Sequence, residues 1–229
     1  MKKIKKLPNF SLFKSMLVSD EGLNSDLKID QKQVWNNIAP KWNEVRTASS
    51  PEVIEFLKDK KGNILDFGCG SGRNFIKNKE SKRVIYAVDF SEEMLEYAKK
   101  KAKKEKINAE FFISDSTKLQ FKDNFFDSAI CVAMLHCIES SEKREKTLKE
   151  LYRVLKPKAK ALVLVWSRNN MRIKNKPKES FIPWTVKGKK YQRYTYIYDK
   201  DEFEKLLKKV GFKVLSITEG KNINAVVQK

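Results

Sequence analysis

The stretch ILDFGCGSGRN, residues 64–74, decides how the rest of the chain is read. An apolar run ends at Asp66, and Gly68, Gly70 and Gly72 follow at every second position. A short buried strand that stops in a glycine turn lets a ligand come up against bare backbone. A helix is expected directly behind it, in GRNFIKNK (72–79), and the free N–H groups of a helix start favour an anionic or polar ligand. A dinucleotide fingerprint has its third glycine in the sixth place, where this chain has Arg73. Binding of a nicotinamide or flavin dinucleotide is therefore disfavoured.

Downstream, strands and helices alternate. RVIYAVDF (83–90) reads as a strand, SEEMLEYAKKKAKKEK (91–106) as a helix capped by Ser91, and AEFFISD (109–115) as a strand. FFDSAICVAML (125–135) and AKALVLVWS (159–167) are apolar without alternation, as strands covered on both faces are. Between them SEKREKTLKELYRVLKP (141–157) is a helix that stops before Pro157. Such alternation builds a parallel, doubly wound sheet. The end of the chain, from Asp199, reads helix, strand, turn, strand, which predicts an antiparallel pair at one edge.

Upstream, QKQVWNNIAPKWNEV (31–45) is an amphipathic helix with Val34, Trp35, Ile38 and Trp42 on one face, and Pro40 is expected to kink or split it. SSPEVIEFLKDKKG (49–62) predicts a helix with Ser50 as N-cap, Pro51 at its first position and Gly62 just past its end. Residues 1–30 have weak periodicity and read as a loosely ordered extension, which leaves one domain over residues 31–229. No apolar run approaches the ~20 residues that cross a bilayer, and the basic opening MKKIKKLPNF is not followed by a signal-peptide pattern. Cys69, Cys131 and Cys137 form neither a disulfide framework nor a metal set, so they are expected as small core residues in a reducing, cytoplasmic setting.

The charge is less ordinary. Lys and Arg number 49 against 29 Asp and Glu, a net +20 that attracts polyanions, nucleic acid first and an anionic membrane surface second. The cations concentrate in an insertion at about residues 167–198, expected to be irregular, where Lys187, Lys189, Lys190 and Arg193 are interleaved with Trp184, Tyr191, Tyr194, Tyr196 and Tyr198. Cations with aromatic rings suit phosphate contacts and stacking of an unpaired base.

Acids stand where successive strands end. Asp89 lies about twenty residues past the glycine loop, where a carboxylate accepts ribose hydroxyls. In SDST, Asp115 is placed to bond an adenine amino group, with Ser116 beside it. Together with Asp66 they converge beyond the carboxyl ends of the strands, where open α/β sheets hold ligands.

With these motifs, residues 31–229 resemble the class I S-adenosylmethionine-dependent methyltransferases. The resemblance implies a Rossmann-like α/β fold, a seven-stranded, mostly parallel sheet with an antiparallel edge strand. It implies that Gly68, Gly70 and Gly72 approach the methionine part of S-adenosylmethionine, Asp89 its ribose and Asp115 its adenine, with Asp66 and Ser116 also among the cofactor-binding residues and Trp42 over the cofactor. WNNIAPKWNEVR, AMLHCIES, LVLVW, FIPW, YQRYTYIYDKDEF and EGKNINAVVQK look in addition like the tRNA wobble-uridine carboxymethyl methyltransferases. That narrower resemblance implies esterification of 5-carboxymethyluridine in tRNA, with a small zinc-binding activator subunit as partner. It matches Arg46 and His136 to functional positions, and Arg193 and Tyr194 to the family's R-Y-Y-type segment. Cys137 stands where a second histidine is common, and Ser71 where asparagine is common. Two other functions use the same motifs: a methyltransferase acting on a small quinone-like molecule, and a methyltransferase fold kept as a non-catalytic partner.

Overall fold

The structure is a computed structural model that describes residues 29–77 and 82–229. The expected extension over residues 1–30 falls outside them, save for Ile29 and Asp30. In chain order the elements are α1 (Gln31–Val45), α2 (Pro51–Leu57), β1 (Gly62–Phe67), β2 (Arg83–Asp89), α3 (Glu92–Glu105), β3 (Ala109–Ile113), β4 (Phe126–Val132), α4 (Ser141–Val154), β5 (Leu155–Trp166), β6 (Glu179–Val186), β7 (Lys189–Tyr196), α5 (Lys200–Val210), β8 (Lys213–Glu219) and β9 (Asn222–Gln228). A single 3-10 turn, Leu135–Cys137, follows β4.

Seven strands form one sheet in the order β3-β2-β1-β4-β5-β9-β8. β1 to β5 run parallel, and β9 pairs antiparallel with both β5 and β8. The antiparallel strand is thus one place in from the edge: the turn after β8 folds β9 back into the slot beside β5. The two apolar strands lack alternation because both faces are covered. Ala129 and Cys131 of β4 face a core shared with Leu148 and Leu151 of α4 and Phe203 and Leu207 of α5. Ile130 and Val132 face Val53 and Leu57 of α2. Ile85 and Ala87 of β2 meet Leu95, Ala98 and Ala102 of α3.

Several expectations need correction. GRNFIKNK does not continue the glycine loop as a helix over its described residues: Ser71 to Asn74 are turns. Gly72 has φ +82°, a left-handed backbone that no α-helix contains. Helix α2 ends at Leu57, and Gly62 instead starts β1; Ser50 holds the N-cap position without a side-chain capping bond. Pro40 leaves α1 unsplit as a single helix. The insertion is not irregular throughout. It contains an antiparallel hairpin, β6 with β7, joined by Lys187 and Gly188, both at positive φ as a two-residue hairpin turn requires.

Helix α1 ties this hairpin to the sheet. Asp30 caps the helix by accepting from the N–H groups of Lys32 and Gln33. Asn36 Oδ1 accepts from Ser91 Oγ at 2.6 Å, and Lys32 pairs with Glu92, so α1 lies on the start of α3. On its other side Gln31 Oε1 accepts from the N–H of Tyr194 in β7 at 2.9 Å.

Candidate active site

A cavity of about 540 Å³ opens at the carboxyl ends of β1, β2, β3 and β4, beside α1, which lines it from Gln31 to Trp42. Its position follows from the topology: β1 is the strand from which the connections run outward in both directions, and such a switch point leaves a crevice. Trp42, Gly68, Gly70, Asp89, Asp115 and Ser116 line it, as the sequence predicts. Gly70 has φ +53°, and its backbone N–H donates to Asp89 Oδ2 at 2.8 Å. A Cβ on Gly68 would stand 2.2 Å from Met134 Cγ, so a side chain there would displace the cavity wall. Asp89 Oδ1 accepts from the N–H of Ser91 at 3.0 Å. Burial pushes the Asp89 carboxyl up to about 6, against the bonds from Ser91 and Gly70 that hold it down. Asp115 accepts from both the N–H and the hydroxyl of Thr117, bonds that hold it below the ordinary aspartate value.

Two expected cofactor residues do not line the cavity. Gly72 shapes the loop: its Cβ would meet the Phe75 ring at 2.7 Å. Asp66 lies behind the loop, 1% exposed, with neither oxygen in a hydrogen bond of ordinary geometry. Burial, with some help from Asp89, pushes it up to about 7, while Arg73 and Asn74 pull it down. The sequence reading missed Phe90, Ile113, Met134 and Arg73, all of which line the cavity. Phe90 follows Asp89 directly and Ile113 ends β3 two residues before Asp115, but nothing in the motif says which way their side chains turn.

The cavity fits S-adenosylmethionine. Its volume lies within the ~300–1,000 Å³ range of small-molecule sites. Phe90 and Ile113, the latter 53% exposed, give it an apolar flank suited to a purine. Asp89 has acceptor capacity for ribose hydroxyls beyond its two backbone bonds. The glycine loop presents backbone without Cβ to the amino-acid portion.

Beside the cavity stands a cluster of cations and indoles. Arg193 on β7 is 4% exposed, and its guanidinium lies 5.0 Å from the ring of Trp184, 5.3 Å from Trp42 and 5.7 Å from Trp35. Arg46, at the end of α1, stacks on two of the same rings, 5.2 Å from Trp42 and 5.9 Å from Trp184. The Nε atoms of both arginines and the Nε1 atoms of Trp35 and Trp184 are buried without a hydrogen-bond partner. All four are donors. Burial lowers both guanidinium pKa values; the charge of Arg172 adds to the lowering at Arg46, and at Arg193 the Cys137 thiol opposes it while Arg46 adds to it.

His136 is placed differently from the two arginines. It is 2% exposed and absent from the cavity lining. Its Nδ1 accepts from the N–H of Trp166 at 3.2 Å, and the ring stacks on Trp166. Burial first, then the charges of Arg193 and Arg73, depress its pKa to about 3, so it is neutral with its proton on Nε2. Tyr194 is not a surface platform. It is 5% exposed, and its hydroxyl accepts from Arg144 at 3.1 Å; Tyr196 and Tyr198 are buried beyond it. Alternation along β7 and its exit turns these rings inward, against Arg144 and Phe203. Lys187, Lys189 and Lys190 are exposed at the hairpin tip. Cys69, Cys131 and Cys137 are all free thiols, the first two fully buried.

Fold and cavity together define a class I S-adenosylmethionine-dependent methyltransferase domain. Residues 64–158 match the family model described as a methyltransferase domain. A Burkholderia thailandensis 1,6-didemethyltoxoflavin-N1-methyltransferase, solved with bound S-adenosylhomocysteine, superposes with a TM-score of 0.65 at 16% identity, covering 86% of each chain. The cofactor is S-adenosylmethionine. Among curated proteins, the chain is 31% identical over 137 residues to the tRNA (carboxymethyluridine(34)-5-O)-methyltransferase of Arabidopsis thaliana, covering 59% of this chain and 32% of that protein. It is 30% identical over 165 residues to the 2-phytyl-1,4-naphtoquinone methyltransferase of Nostoc punctiforme, covering 69% of this chain and 64% of that one. The chain spans about a third of the length of the first curated relatives it matches.

Proposed function

We propose that this chain is an enzyme that methylates the carboxylate of 5-carboxymethyluridine at the wobble position of tRNA. The observation that carries the reading is the buried Arg193, stacked with Arg46 on Trp42 and Trp184, beside the cofactor cavity and without an acid partner among the described residues. A buried guanidinium with an unpaired N–H is costly unless an anion meets it. The acceptor's carboxylate is such an anion. The similarity to the Arabidopsis enzyme supports the same acceptor, and the net charge of +20 with the exposed hairpin lysines supports a tRNA partner. The reading includes the small zinc-binding activator subunit as a partner.

When bound, S-adenosylmethionine supplies an electrophilic methyl group on a sulfonium sulfur. The residues of the chain supply placement. A carboxylate is already ionised at neutral pH, so no general base is needed, and the neutral, deeply buried His136 is not asked to be one. Arg193 and Arg46 hold one carboxylate oxygen and leave the other facing the cavity. Their shared indoles exclude water from the approach. His136 keeps the end of β5 against the 3-10 turn, a positioning role.

A second reading, methylation of a quinone-like small molecule, is supported by the Nostoc relative, of which the chain covers twice the share. A neutral acceptor would leave the guanidinium cluster without a counter-charge, so the carboxylate is preferred. Mass spectrometry of tRNA nucleosides from cells lacking the protein separates the two. Loss of the methyl ester with accumulation of 5-carboxymethyluridine is expected; unchanged nucleosides with a demethylated quinone precursor would transfer the assignment to the second reading.

A further inference from the structure

Arg73, in the turn after Gly72, has no task in the mechanism above. It lines the same cavity as Trp42, the ring that carries both Arg46 and Arg193. Its carbonyl accepts from Ser49 Oγ at 2.8 Å, which brings the segment following Arg46 alongside it. The charge of Arg46 reaches both Arg73 and Arg193, and the charges of those two both reach His136. The arginines that form ion pairs, Arg153 and Arg168, lie elsewhere, and among the described residues none of these three has a carboxylate oxygen within 4.0 Å. Asp66, the nearest acid in electrostatic reach, is sealed under the loop and does not close that distance. Guanidiniums in electrostatic reach of one another, none with a carboxylate at ion-pair distance among the described residues, repel one another, and an anion placed among them offsets that cost.

We propose that Arg73 completes a three-guanidinium subsite with Arg46 and Arg193, and that this subsite selects an acceptor bearing a carboxylate over a neutral one. The proposal rests on the carboxylate reading above and names a residue that reading does not require. Arg73 is a specificity residue here: of the three it is the one that lines the cavity, while Arg46 and Arg193 stand on the indoles beside it.

Trp42 and Trp184 carry the guanidiniums, so indole emission reports the subsite without turnover. The full chain, saturated with S-adenosylhomocysteine, is titrated with 5-carboxymethyluridine nucleoside and, separately, with the corresponding amide. The unsubstituted chain is expected to bind the acid at least about tenfold more tightly than the amide. Arg73→Met should weaken the acid by roughly tenfold to a hundredfold and erase most of the preference, with amide binding and S-adenosylhomocysteine affinity within about threefold of their original values. Arg73→Lys should recover most of the loss by restoring the charge. Unchanged acid binding in a folded Arg73→Met chain would overturn the role of Arg73 and leave the carboxylate reading intact. An equal loss for acid, amide and S-adenosylhomocysteine would make Arg73 a cofactor residue and overturn it as well. If the unsubstituted chain binds acid and amide alike, the carboxylate reading falls and this proposal falls with it.

Discussion

Asp66 and His136 are two buried titratable side chains near the site whose charged forms are disfavoured, and they act on stability with opposite sign. Asp66 sits at about 7, against an ordinary value of roughly 4 for an unfolded aspartate. The native chain therefore binds more protons between those limits. The stability contributed by the neutral carboxyl is complete below about pH 4 and is lost as pH rises through about 7. His136, at about 3 against roughly 6.5, is the reverse: its contribution is complete above about pH 6.5 and is lost as pH falls through about 3. Asp66→Asn removes only the first effect. The stability difference between variant and parent, from urea unfolding, should grow from near zero at pH 4 to on the order of 1–4 kcal/mol at pH 8. A difference that does not change with pH would mean that Asp66 is not the neutral buried group described. At this scale the motif pointed to Asp89, Asp115, Gly68 and Gly70, which line the cavity, because strand-end positions fix where a side chain begins. It did not show that Asp66 faces away from the cavity, or that Tyr194 faces inward, because both depend on packing against α4 and the turn rather than on spacing.

Among the elements, α1 carries the most consequence for the site. Its first turn is held to β7 through Gln31 and its middle to α3 through Asn36, while its end presents Trp42 and Arg46. Asn36 makes two of these ties, accepting from Ser91 Oγ and donating to Glu92 Oε2 at 3.3 Å. Asn36→Ala should cost about 1–2 kcal/mol in urea unfolding. It should also lower methyl transfer by roughly tenfold or more through misplacement of Trp42 and Arg46, although Asn36 does not line the cavity. Turnover equal to that of the parent would mean that α1 does not need this anchor. The helix itself was legible in the spacing of Val34, Trp35, Ile38 and Trp42, and Pro40 was overweighted: an exposed proline near the middle of a well-docked helix is tolerated when packing fixes both ends. The hairpin β6–β7 was not legible as such. Its turn, Lys187–Gly188, lacks the usual asparagine or aspartate, and the run of lysines on either side reads as a solvated loop until the alternation of exposed and half-buried residues along β6 is seen. β4 and β5 were plain from composition alone, since only strands covered on both faces are apolar without period.

For the whole molecule, the charge of +20 and the exposed hairpin tip predict salt-dependent association with tRNA. Replacing Lys187, Lys189 and Lys190 with alanine should make the log–log salt slope shallower by about two, at ~0.7–0.9 per phosphate contact, with S-adenosylhomocysteine affinity unchanged. The binding assay is run with and without the proposed activator subunit, and a slope unaltered in both would take these lysines out of the interface. The central claim, that the methyl group reaches a carboxylate, is tested by the alkali lability of the product. tRNA from cells lacking the protein is incubated with the chain, the proposed activator subunit and cofactor labelled in its methyl group, then treated with mild alkali. The account predicts an ester, so the label should leave the RNA as methanol. Label that stays on the RNA through this treatment, as a methyl on a ring carbon, a ring nitrogen or a ribose oxygen would, contradicts it.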